Sequence, residues 1–304
     1  MPALSRIVQR FRQKMGLVRI GFYPPDVWLY LPFDLVLRPL FKTSWKDISR
    51  LRRARARFKR PDGGFDVNGV RLPALSPEDE RFFLTVVLYE TFAPYLFLGD
   101  RYDPRLLRDM DIESYGYQDG AGFDVAVKPG DVVVDAGSWI GDFAAYAARK
   151  GARVYAFEPT PETFGVLRKT AELNPGIIPV DKGLGDEPKR LPLFASASMR
   201  NTAGNHFQEC GNAETTGEGA EIVTLDSFVR DNGLERVDFI KADIEGYERH
   251  MLAGARETLR RFAPRLAICT YHLPDDPEVL ERLIREANPD YRIVQGKALL
   301  FASV

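Results

Sequence analysis

Hydrophobic and polar positions follow two rhythms along the second half of this chain. Short runs rich in β-branched residues, DVVVDAG (131–137), RVYAFEP (153–159), GIIPV (176–180), VDFIKAD (237–243) and RLAICTY (265–271), alternate with stretches of helical apolar spacing. Continuous apolar runs of this length read as strands buried on both faces, and the alternation predicts a doubly wound, mostly parallel sheet with helices on either side. Thr160 before Pro161 predicts a helix start, Asn174-Pro175 its stop, and Asp276-Pro277 a second start before EVLERLIREA. YRIV, QGK and ALLFA near the C-terminal end predict a closing antiparallel hairpin. Upstream, residues 78–98 carry apolar residues near helical spacing ahead of Pro94 and predict a flanking helix, while PDGG at 61–64 marks a turn. Residues 195–220, polar and glycine-containing, predict a long loop. The expected organisation is a mainly helical extension over 1–110 and an α/β domain over 111–304.

The chemistry concentrates where the first of these strands ends. In VVVDAGSWIGDF (132–143) the strand stops at Asp135, and Gly137 and Gly141 flank a turn into a helix. In an open α/β sheet this turn lies at the carboxyl edge, where ligands bind and glycine permits close backbone approach. The spacing lacks the middle glycine of the dinucleotide fingerprint, and an acid facing the pocket from the strand's end opposes a pyrophosphate. Glu158 ends the second strand 23 residues after Asp135. Doubly wound folds place there the acid that takes the ribose hydroxyls of an adenosine cofactor. Adenosine with a cationic, phosphate-free remainder describes S-adenosylmethionine.

These residues resemble the FkbM-type methyltransferases, which are similar to the wider class of Rossmann-like S-adenosylmethionine enzymes. The resemblance covers roughly 115–302 and rests on VVVDAGSWIGDFAAYAA, VYAFEPTPETFGVLRK, KGLGD, VTLDSFV and DFIKADIEGYERHMLAGARETLRR. It implies a Rossmann-like fold whose closing hairpin resembles that of the class. It further implies a cofactor site of Asp135, Gly137, Ser138, Trp139, Gly141 and Glu158, with Ser138-Trp139 departing from the Ala-Asn of many members. Asp243 and Glu245, in the Asp-Ile-Glu-Gly block, are marked as functional. The implied reaction moves a methyl group to an acceptor hydroxyl on a sugar, another glycan or a natural product.

Transfer to a hydroxyl needs in-line positioning and a group to take the proton. Of three histidines, His206 falls in the long loop and His250 within a helix, so His272, just past the strand RLAICTY, is the first base candidate. Its alternative is a hydrogen-bonded structural histidine. Asp243 could act as base, orient the acceptor or ligate a divalent metal with Glu245, and orientation is the favoured role; Glu245 could instead cap the helix beginning near Gly246. A metal would need a third ligand beside Asp243 and Glu245. Sequence alone does not bring one there, so no metal is expected.

Composition and charge modify this picture only at the N-terminus. A chain of 304 residues, 45% hydrophobic, can bury a large core. Two cysteines, Cys210 and Cys269, without CxxC or CxxH spacing, exclude a disulfide framework and a zinc cluster and suit a reducing compartment. No signal peptide is evident, and the apolar stretch 27–41 is interrupted by Asp34 and Arg38 and is too short to span a bilayer, so the expected location is the cytoplasm. Residues 1–60 carry 15 basic and three acidic groups, +12, against 27 and 40, or −13, in the rest. That charge, next to Trp28, Tyr30, Phe33 and Trp45, suits an anionic membrane surface, and equally a helix packed on the acidic domain. Nucleic acid is not an expected partner. The rival functions are an NAD-dependent oxidoreductase and a non-catalytic membrane-associated binding module that keeps the fold.

Overall fold

The computed structural model of the protein describes residues 59–67, 69–83, 115–118, 121–194, 215–296 and 298–304. Strands β5 (Val132–Ala136), β6 (Arg153–Phe157), β7 (Ile177–Val180), β11 (Phe239–Ala242), β12 (Arg265–Cys269), β13 (Arg292–Gln295) and β14 (Leu299–Ser303) form one sheet. Its order is β13-β14-β12-β11-β5-β6-β7. The five strands from β12 to β7 are parallel, whereas β14 runs antiparallel to both β12 and β13. The doubly wound arrangement and the closing hairpin are those the sequence predicts. The order reverses between β5 and β11, which places the ends of those two strands at the switch point where open α/β sheets bind ligands.

Successive residues of the parallel strands enter opposite cores, as the two-residue strand period requires. Val133, Val154, Phe239 and Ala267 join one buried cluster with Phe143, Ala144 and Leu167. Those partners come from helices α2 (Asp142–Arg149) and α3 (Pro161–Leu173). Val134, Tyr155, Ile240 and Leu266 join the other, with Phe228, Met251, Leu259 and Leu280. These lie on α4 (Leu225–Asp231), α5 (Glu248–Ala253), α6 (Arg256–Phe262) and α7 (Asp276–Ala287). The parallel strands are mostly apolar on both faces for this reason, with Asp135 and Lys241 the charged residues buried within them. Among the helix starts, Pro161 opens α3 as predicted, but Asp275 rather than Asp276 precedes α7, and the Asp276 carboxylate instead accepts the Leu273 N–H at 2.8 Å.

Smaller elements border the sheet. The hairpin of β1 (Phe65–Val67) and β2 (Val70–Leu72) follows the predicted PDGG turn, and Phe65, Val67, Val70 and Leu72 are buried in the α2–α3 core. The Asn174 side chain clamps it by accepting from the Arg71 N–H at 3.1 Å and donating to the Arg71 carbonyl at 2.6 Å. These residues belong to the α/β core although they precede position 111. Strands β3 (Tyr117–Gln118) and β4 (Asp124–Val125) pair with each other, and Tyr117 stacks on Phe301 at 5.2 Å. A separate three-stranded sheet, β8 (Gly183–Leu184), β10 (Thr215–Val223) and β9 (Lys189–Phe194), corrects the loop expected over 195–220, because Thr215–Ala220 pair with β9. Of the helix expected over 78–98, α1 (Pro77–Phe82) forms, with Ser76 accepting the Asp79 N–H at 3.1 Å. The remainder of that helix, the basic extension up to residue 58, His206 and Cys210 lie outside the described residues. Among the described residues no helix is long and apolar enough to cross a membrane.

Candidate active site

The loop after β5 is fixed from three sides. Gly137 and Ser138 donate their N–H groups to the Phe157 carbonyl at 3.1 and 2.9 Å, and the Ser138 hydroxyl donates to the Asp135 carbonyl at 2.9 Å. Gly137 has φ 73°, and a Cβ there would stand 2.0 Å from the Asp243 carbonyl oxygen. Gly141, at φ 84°, would meet Leu167 at 2.7 Å. Both glycines are therefore required by contacts within the protein, the first by the loop after β11 and the second by α3. Trp139 occupies the place of the dinucleotide fingerprint's middle glycine and itself adopts φ 46°.

Glu158, at the end of β6, is tied to this loop. It accepts the Trp139 N–H at 3.1 Å and the Thr160 N–H at 2.9 Å. Burial pushes its carboxyl up to about 7, overriding those hydrogen bonds and the nearby Lys241 charge, which pull it down. Each carboxylate oxygen has two lone pairs, so beside these backbone donors Glu158 has acceptor capacity for further donors.

Asp135 does not face the pocket as the sequence suggests. It is fully buried, and its carboxylate lies 3.1 Å from Lys241 Nζ, on the neighbouring residue of β11. Lys241, itself 5% exposed, also donates to the Gly137 carbonyl at 2.7 Å. Burial alone would lower the Lys241 pKa, yet the Asp135, Asp243 and Asp142 charges raise it well above the usual value, so the ammonium persists. The pair is a buried strut under the loop.

Beside it, the residues that follow β11 and β12 converge. Asp243 accepts the Tyr115 hydroxyl at 2.8 Å and the Tyr271 hydroxyl at 2.9 Å. His272 Nε2 stands 3.5 Å from Asp243 and 3.7 Å from Glu245, while Nδ1 stands 3.0 Å from fully buried Glu248 in an ion-pair contact whose angles fall short of a hydrogen bond. Burial by itself would depress the imidazole, but Glu248, Asp243 and Glu245 push it up to about 9. Burial opposes ionisation of Asp243 as well; Lys241, His272 and the two tyrosines prevail and hold it below the usual carboxylate range. Glu245 sits at φ 55° and does not cap α5. Glu248, the first residue of α5, instead ties down the preceding loop by accepting the Ile244 N–H at 2.8 Å. Asp243, Glu245 and His272 thus form a group able to hold a metal ion, their ligand atoms all within 4.8 Å of one another. The third ligand that the sequence could not place beside the two acids is His272.

The profile of the methyltransferase FkbM domain matches residues 131–293, more than half of the 304. The chain belongs to the FkbM methyltransferase family. It is 30% identical over 158 residues to hexuronic acid methyltransferase AglP of Haloferax volcanii, covering 52% of this chain and 62% of that protein. It is 28% identical over 162 residues to the 31-O-demethyl-FK506 methyltransferase FkbM of Streptomyces tacrolimicus, covering 44% and 62%. The chain thus spans about three-fifths of the length of these relatives. Among solved structures, methyltransferase FkbM from Methylobacillus flagellatus KT is 18% identical with a TM-score of 0.46, covering 84% of this chain and 59% of that one.

In this FkbM-family protein the predicted site residues fall into two groups that touch. Gly137, Ser138, Trp139, Gly141 and Glu158 form the β5–β6 side, and Asp243, Glu245 and His272 the β11–β12 side, in contact through Gly137 and the Asp243 carbonyl. Lys241, Glu248, Tyr115 and Tyr271 were not singled out from sequence. For Lys241 a signal existed, a lone cation inside the apolar run DFIKAD. His250 is elsewhere, paired with Asp186 at 3.0 Å and stacked on Tyr247.

Proposed function

We propose that the protein is an S-adenosylmethionine-dependent methyltransferase acting on an acceptor hydroxyl, with the cofactor held at the β5–β6 edge and the acceptor oriented at the β11–β12 edge. The observation that carries this reading is Glu158, a buried carboxylate hydrogen-bonded to the loop after β5 and retaining lone pairs for the two ribose hydroxyls. The residues fit a cationic, phosphate-free ligand. Glu158, Asp243 and Glu245 bring negative charge to the edge, the nearby ammonium of Lys241 is engaged by Asp135, and Trp139 replaces the glycine that lets a backbone approach a pyrophosphate. These features favour a methyl donor over NAD.

S-adenosylmethionine supplies, when bound, a sulfonium methyl group open to a single in-line displacement. The chain's part is to position. Asp243, held in the ionised form and aimed by Tyr115 and Tyr271, accepts the acceptor's O–H and directs its oxygen lone pair. Transfer to a hydroxyl would require its proton to leave toward the carboxylates, Asp243 first and Glu245 beside it. His272 carries a proton of its own up to about pH 9 and serves as a base only above that value. The relatives act, by name, on a hexuronic acid and at the 31-O position of FK506, which supports an oxygen acceptor on a sugar or natural product.

Thermal unfolding with S-adenosylmethionine, its demethylated product S-adenosylhomocysteine, or NAD tests the cofactor. A rise in Tm with the first two alone is expected. A rise with NAD alone would transfer the reading to an oxidoreductase. Labelled methyl donor with a panel of hydroxylated glycans and natural products then identifies the acceptor.

A further inference from the structure

The β11–β12 edge is built beyond what orientation of a hydroxyl requires. His272 has a side chain only 9% exposed, and its Nε2 makes no hydrogen bond although it points between Asp243 and Glu245. Behind it, Nδ1 faces Glu248, which is fully buried and fastened to the Ile244 N–H. A carboxylate behind an imidazole is the arrangement that keeps the proton on the rear nitrogen and turns the front lone pair toward a metal. Three carboxylates, Asp243, Glu245 and Glu248, surround this one imidazole, and Lys241 is engaged by Asp135.

We propose that Asp243, Glu245 and His272 bind a divalent cation of the Mn2+ or Mg2+ class. Two carboxylate oxygens and one imidazole nitrogen are a donor set for a hard to borderline ion. An octahedral ion with bonds of about 2.1 Å sets adjacent ligands roughly 3.0 Å apart. The observed 3.5 and 3.7 Å separations reach that by small side-chain rotations. The hydroxyls of Tyr115 and Tyr271 each occupy one lone pair of Asp243 and leave the others for the ion. Because the Asp243 and Glu245 side chains are 23% and 29% exposed, the far side of the ion stays open to an incoming ligand. In the role this assigns, which rests on the methyltransferase reading, the ion takes the acceptor oxygen and lowers the pKa of its proton. Binding of the ion does not depend on that reading.

The test is titration of chelator-stripped protein with Mn2+, without cofactor, followed by the electron paramagnetic resonance of free Mn2+ and by calorimetry. One Mn2+ per chain is expected, weakened at least tenfold by Asp243→Asn, Glu245→Gln or His272→Ala and unchanged by Glu257→Gln, an exposed acid paired with Arg260 on α6. Glu245→Gln, partly exposed and nearly isosteric, decides the matter if the other two variants unfold. Absence of saturable binding, or binding that survives Glu245→Gln undiminished, overturns the proposal. S-adenosylhomocysteine titrated separately into the stripped protein keeps the two readings apart: Mn2+ binding without cofactor binding leaves the ion site standing and removes the methyl donor.

Discussion

Replacing Lys241 by methionine leaves the Asp135 carboxylate fully buried without its counter-ion and the Gly137 carbonyl without its 2.7 Å donor. At the 3.1 Å separation of the pair, Coulomb attraction amounts to about 5 kcal/mol at an effective dielectric of about 20. Breaking a buried pair by removing one partner costs about 3 to 5 kcal/mol in practice. We expect Lys241→Met to lose that much in urea unfolding followed by far-ultraviolet circular dichroism, read as a lower midpoint with an unchanged slope. The double variant Asp135→Val/Lys241→Met removes both charges and should recover most of the loss, since apolar replacement of a buried pair is often neutral or stabilising. A loss below about 1 kcal/mol for the single variant, or a double variant no better than the single, would refute the strut.

Three further outcomes follow from the geometry. Gly137→Ala forces φ 73° on a residue with a Cβ and a 2.0 Å contact with the Asp243 carbonyl, so it should destabilise by at least about 2 kcal/mol, and a Tm matching wild type would contradict the packing described. Affinity for S-adenosylhomocysteine should rise with pH through about 7, because the free protein holds a proton on Glu158 below that value while the hydroxyl-accepting form is the carboxylate; calorimetry showing a flat profile and no proton release would oppose the role. Residues 1–60, at +12, should sediment the protein with anionic but not neutral vesicles at low salt, less so at moderate salt, and an equal result after Arg52, Arg53, Arg55 and Arg57 are changed to glutamine would return those charges to contacts within the protein.

The strands were legible because both faces of the sheet are covered, which makes Val132–Ala136 or Arg265–Cys269 predominantly apolar rather than alternating. Gly137 and Gly141 were also legible as special positions, but their reason was not. The groups that demand them, the Asp243 carbonyl and Leu167, lie far along the chain and approach only through the sheet order. The same distance hid the strut: Asp135 reads as a pocket acid until β11 brings Lys241 beside it. Asp243, Glu245 and His272 were each visible as residues after strands, yet their convergence depends on β11 and β12 being neighbours and on Glu248 aiming the imidazole from behind. Strand β10 was missed because TTGEGA is a polar, glycine-containing run without the apolar alternation that marks a strand, and it pairs in a small separate sheet.

The central claim is a cofactor held through Glu158, and calorimetric titration of S-adenosylhomocysteine into wild-type protein and Glu158→Ala tests it most directly. The account predicts one site per chain in the wild type and a loss of about 2 to 3 kcal/mol in the variant, roughly 30- to 150-fold, with the fold unchanged by circular dichroism. Equal affinity in the two folded proteins would contradict it.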